Sequence, residues 1–161
     1  MSAQAKRQIG PATLEQHAWV GLIRAHASAT RRFNAELVAG HGLTLNDYEV
    51  LLHLARAPER MMRRVDLSKS VLLTPSGITR LLEGLERCGY VARESCSSDA
   101  RVTYARLTDD GYDKLREASA THLEGIRSHF AERFTDEELA TLRELLERLP
   151  AEGAETEDCE P

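Results

Sequence analysis

A chain of 161 residues, 42% apolar and 29% charged, is long enough for one domain with a real core. No apolar run approaches the roughly 18 residues of a membrane span, and the N-terminal MSAQAKRQIGPAT has no apolar signal core, so the cytoplasm is the default expectation. The net charge of −5 divides unevenly: +1 over residues 1–55, +4 over 56–106 and −10 over 107–161, so the middle third can face a polyanion although the whole chain is acidic.

Residues 1–12 are polar and expected to be disordered. From Thr13 to Val38 the pattern is helical, with Leu14, Trp19, Leu22, Ile23, Phe33 and Leu37 as its larger apolar residues, and Gly40-His41-Gly42 ends it. Thr44 caps the next helix, where Tyr48, Leu51, Leu52 and Ala55 follow i, i+3, i+4, i+7, and Pro58 stops it. Arg60 to Arg64 reads as a link able to add a small strand. Val65 to Ser70 suits a short helix. Thr74 then caps a helix with Pro75 at its first position, apolar at Ile78, Leu81, Leu82 and Leu85, and closed by Gly89.

Tyr90 to Ser95 and Val102 to Leu107 read as two strands around the polar loop 96–101. Thr108 caps a long helix running to about Phe134. Thr135 and Glu138 form a capping box for a last helix carrying Leu139, Leu142, Leu145, Leu146 and Leu149. The tail 150–161 holds five acidic residues and is expected to be disordered. The fold class is therefore mainly α with a small β wing, a winged helix-turn-helix: a domain over 13–149, with a head at 44–107 between helices at 13–39 and 109–149.

This order of elements points to duplex DNA as the partner. On a wheel of 74–88 the face opposite the leucines presents Ser76, Gly77, Thr79 and Arg80. Small residues allow close approach to a major groove about 12 Å wide, and an arginine can reach a guanine edge or a phosphate. Thr74 and Pro75 open the helix, whose N-terminus favours phosphate. Lys69 and Ser70 on the preceding helix would meet the backbone. The hairpin carries Arg93, Arg101 and Arg106, and an arginine on a narrow ribbon can enter the minor groove. Asp99 can brace it through a charge-assisted hydrogen bond.

The segment TPSGITRLLEGLERCGYVARESCSSDARVTYARLTDDG resembles the recognition helix and wing of MarR-type transcriptional regulators. The family's wing has an Asp, a variable residue and an Arg, then L-T-x-x-G. Here these are Asp99-Ala100-Arg101 and Leu107-Thr108-Asp109-Asp110-Gly111. The resemblance is specific over 65–111 and architectural elsewhere from Thr13 to Leu149. It implies a six-helix homodimer joined by the first and last two helices, with Arg101 in the minor groove. It also implies a repressor released by a small phenolic or aromatic acid ligand. The leucine-dense last helix independently asks for a partner, and a two-fold dimer implies a palindromic operator read at two sites roughly 34 Å apart.

Candidates for a ligand pocket are His17, Trp19, Arg24 and His26 on the first helix and Tyr48 and His53 on the second. The aromatic rings could stack on a ligand ring, and a basic group could hold a carboxylate. Taken singly, each reads better as a core or surface residue, and the pocket is assigned only as a set. Oxidation of Cys88 or Cys96 is an alternative trigger, since both fall in the DNA-contacting parts. With Cys159 the cysteines are odd in number and lack CxxC spacing, against a disulfide framework or zinc ribbon. The six histidines are scattered, and no nucleophile–base set or phosphate loop stands out. No metal, cofactor or enzymatic activity is expected. A winged helix that binds a protein instead of DNA is the remaining rival, against which the basic charge of 56–106 argues.

Overall fold

The computed structural model describes residues 12–71, 73–95 and 103–149. Its elements are α1 (Leu14–His41), α2 (Leu45–Arg56), a 3-10 turn (Pro58–Arg60), β1 (Met61–Arg63), α3 (Arg64–Ser70), α4 (Pro75–Arg87), β2 (Val91–Ser95), β3 (Thr103–Leu107), α5 (Asp109–Ala131) and α6 (Asp136–Glu147). The chain forms two compact units, 1–32 and 33–161. The segments expected to be disordered, 1–12 and 150–161, lie outside the described residues except for residue 12.

In the first unit, the start of α1 exposes Leu14, Trp19, Val20, Leu22 and Ile23. Helical periodicity is present there without a buried face inside the unit. The second unit holds the core. Leu37, Val50, Leu51, Leu54, Leu67 and Leu82 are fully buried, and α2 packs on α3, α4 and α5.

Local chemistry sets most boundaries. Thr44 caps α2 by accepting from Asp47 N–H at 3.1 Å, and Asp47 returns the favour to Thr44 N–H at 2.8 Å. Thr135 and Glu138 make the same reciprocal pair at α6. Helix α4 ends with Gly89 at φ 76, Gly89 N–H bonded to Glu86 O and Tyr90 N–H to Leu85 O, both at 3.0 Å. This left-handed stop occupies Tyr90, so β2 begins one residue later than expected. Helix α5 ends at Ala131, three residues before Phe134.

The three strands pair antiparallel in the order β1-β3-β2, with Met61 opposite Arg106 and Val91 opposite Leu107. The link expected at 60–64 thus supplies an edge strand. The turn before it is unusual: Glu59 and Arg60 have φ of 51 and 54, left-handed without glycine, which costs about 1–2 kcal/mol per residue.

The junction of head and α5 rests on Thr108 and Gly111. Thr108 Oγ1 accepts from Gly111 N–H at 3.0 Å and donates to Gly89 O at 2.7 Å, while Thr108 N–H donates to Tyr90 O at 3.1 Å. A Cβ on Gly111 would stand 2.1 Å from Tyr90 O. The L-T-x-x-G pattern is therefore a cap plus a close backbone approach that only glycine permits.

Candidate nucleic-acid interface

Helices α3 and α4 form a helix-turn-helix. Ser68, buried, donates to Val65 O at 2.7 Å and its carbonyl accepts from Leu73 N–H at 3.0 Å, which closes the end of α3. Thr74 Oγ1 accepts from Gly77 N–H at 3.1 Å and starts α4, with Pro75 at its first position. Gly77 makes room for this cap, since a Cβ there would lie 3.1 Å from Thr74 Oγ1.

Burial of Ile78, Leu82 and Leu85 fixes how α4 is rotated. Ser76 and Arg80 are then exposed and Gly77 and Thr79 half-buried beside them, so the polar face expected from the wheel is real. Ser76 lies 3.2 Å from Thr74 Oγ1. On α3, Lys69 and Ser70 are exposed, and Ser70 Oγ donates to Asp66 O at 3.2 Å. On β2, Arg93 is exposed. Asp99 and Arg101, like Cys96, lie outside the described residues.

Arg106, expected among the DNA-facing residues, has its guanidinium engaged within the sheet. Nε donates to Glu94 Oε1, Nη2 to Glu94 Oε2 at 3.1 Å, and Nη1 to Glu59 O at 3.0 Å, with Met61 Sδ at 3.5 Å. The hydrogen bond and positive charge of Arg106 hold the Glu94 carboxyl below its ordinary pKa, and Glu94 raises that of Arg106. The neighbouring turn is held by a second arginine. Arg60 Nη1 meets Asp109 Oδ1 at 3.1 Å and its guanidinium lies 4.2 Å from the Tyr112 ring centroid. Sequence reasoning missed this network because the pairing register that brings Glu94 within reach of Arg106 is not a local property.

The pocket candidates separate as well. His17, Trp19, Arg24 and His26 are exposed on the part of α1 in the first unit. Tyr48 and His53 belong to the second. Tyr48 is a core residue, only 5% exposed, with its hydroxyl 3.3 Å from Ser119 Oγ and its ring 4.7 Å from that of His122. It offers no open face for a ligand ring, so that expectation is corrected. His122 also meets Phe33 edge to face at 5.5 Å, and its buried Nδ1 has no hydrogen-bond partner. Burial lowers its pKa, against a smaller opposing pull from Glu36. Cys88 is exposed at the C-cap of α4. Among the described residues no three His, Cys, Asp or Glu side chains gather as for a metal ion, and no helix is long and apolar enough to cross a membrane.

A short helix, a capped second helix with a polar outer face and an antiparallel hairpin beside them define a winged helix-turn-helix DNA-binding protein. A MarR family model matches residues 41–102. The HTH-type transcriptional repressor YetL of Bacillus subtilis is 33% identical over 69% of this chain and 68% of its own. A MarR family transcriptional regulator of Streptomyces coelicolor, solved in complex with DNA, superposes with a TM-score of 0.78 at 30% identity, covering 89% of this chain and 90% of that one. AbsC, another MarR family regulator of that organism, gives 0.76 at 28% identity, over 86% and 94%. The chain belongs to the MarR family of DNA-binding transcriptional regulators.

Proposed function

We propose that the chain acts as a homodimeric repressor in the cytoplasm, without enzymatic activity, and that two copies of α4 read the halves of a palindromic operator. The observation that carries the dimer is the apolar surface left at the end of the second unit. Helix α6 has no buried residue. Leu139, Leu142, Leu146 and Leu149 line an open groove with Phe130, and Leu146 remains 43% exposed. Burying such half-exposed leucines contributes on the order of 1 kcal/mol each. The exposed apolar residues of α1 offer a second such surface. The repressor reading is supported by the name of the 33% identical relative, and the DNA reading by the regulator solved on DNA at 30% identity.

In this reading Ser76, Gly77, Thr79 and Arg80 meet base edges, and Lys69, Ser70, Thr74 and the N-terminus of α4 meet phosphates. Arg93 and Arg101 serve the wing, with Asp99 bracing it. Release by a small aromatic acid is part of the proposal. Its support is the family likeness together with the exposed Trp19 and Arg24 on α1.

The test is a gel shift on duplex from the chain's own promoter at several salt concentrations, with sedimentation to give the mass. About eight neutralised phosphates give a slope of roughly −7 for log K against log salt. A monomer that ignores every promoter fragment at low salt refutes the reading. Binding that does not respond to salt points to a protein partner instead. A panel of small aromatic acids added to the bound complex tests release.

A further inference from the structure

The +4 segment 56–106 carries an anion on the hairpin strand β2, Glu94, whose charge alone would hinder DNA binding. Its carboxylate is spent on Arg106, and Arg106 in turn reaches across the whole sheet. From the central strand β3 its guanidinium bonds Glu94 on β2 and Glu59 O in the turn before β1, and touches Met61 on β1. One side chain thus joins both neighbours of the middle strand.

The mechanical need for this tie is visible in the elements it connects. Strand β1 has three residues, and β2 pairs with β3 alone. A two-stranded ribbon twists more and holds its angle poorly. The turn at Glu59 and Arg60 is left-handed at both residues without glycine, a conformation that persists only where its surroundings over-determine it. Arg106 supplies one such constraint at the Glu59 carbonyl, and Arg60, bonded to Asp109, supplies another.

We propose that Arg106, with Glu94 as its counter-charge, is a positioning residue for DNA binding: it sets the angle of the β2–β3 hairpin by locking it to β1 and to the strained turn, and does not itself touch DNA. The proposal rests on the reading that the hairpin meets the duplex.

Two variants separate positioning from direct electrostatics. Glu94→Gln removes a negative charge from the hairpin. If charge alone mattered it should tighten binding, whereas loss of the lock weakens it. Arg106→Lys keeps the positive charge but cannot span Glu94 and the Glu59 carbonyl together. A direct phosphate contact would survive that change, and a lock would not.

The experiment measures affinity for a duplex selected from random sequence by the parent protein, with active fractions fixed by stoichiometric titration. Glu94→Gln and Arg106→Lys should each bind roughly fivefold to tenfold more weakly. Arg101→Ala should cost less in the Glu94→Gln background than in the parent, a coupling that a merely destabilised fold does not produce. If Arg101→Ala weakens the parent but Glu94→Gln binds as tightly or more tightly, the lock is refuted and the wing reading stands. If Arg101→Ala is silent in the parent, the wing reading falls and the proposal falls with it.

Discussion

Replacing Gly111 by alanine tests the junction between head and α5. Inside a helix the change normally stabilises by up to about 1 kcal/mol, through helix propensity. Here the new Cβ would stand 2.1 Å from Tyr90 O and 2.9 Å from Leu107 Cδ1. Relief requires Tyr90 O to move, and that oxygen accepts from Thr108 N–H, while Tyr90 N–H closes α4 on Leu85 O. Loss of two such hydrogen bonds costs about 1 kcal/mol each, and overpacking adds about 1–3 kcal/mol. The net loss is about 2–4 kcal/mol, which lowers the melting temperature of a chain of this size by roughly 4–16 °C. Gly84→Ala is the internal control: its Cβ would meet only Arg87 Nη2, at 3.8 Å, so propensity alone acts and stability holds or rises. Thermal melts at one fixed protein concentration compare the two. A Gly111→Ala protein that melts at or above the parent refutes the close-approach argument.

Three further outcomes are expected. Arg80→Ala relaxes sequence choice while Lys69→Ala weakens all duplexes alike, as selection against a randomised site reports; a change of base preference in the lysine variant shows the docking register to be wrong. Leu146→Asp places a charge in the apolar groove of α6 and shifts the protein to monomer in sedimentation, with its helical content kept, and an unchanged mass removes α6 from the interface. His122 makes stability pH-dependent. Its folded pKa is lowered from the ordinary 6.5, chiefly by burial, so the unfolded chain takes up the proton first. This contribution is intact above the unfolded value and is lost as pH falls from there through the folded one. His122→Gln should flatten the slope of stability against pH in that window, and an unchanged slope assigns the loss to other groups.

The parts legible in sequence were those determined by neighbours along the chain. Thr44, Thr74, Thr108 and Thr135 each cap a helix with a group three residues ahead, so a four-residue window reveals them. The leucines of α4 fix its rotation, which made the outward placement of Ser76 and Arg80 readable. What depended on distant strands was not readable. Arg106 looked like any wing arginine until the register placed Glu94 beside it and the turn placed the Glu59 carbonyl above it. Tyr48 looked like a ligand platform because a buried tyrosine and an exposed one share the same helical spacing. Its partners Ser119 and His122 lie some seventy residues further along the chain. The histidine was set aside for want of a metal motif, although its interest is its lack of a hydrogen-bond partner at Nδ1.

The Tyr90 carbonyl has a wider meaning for signalling. It lies just past the end of α4, in the stop that closes that helix, and the first turn of α5 is seated directly upon it. In the dimer proposed above, a tilt of α5 would press on the end of α4 through this contact, so a change in the spacing of two α5 helices would reach both heads.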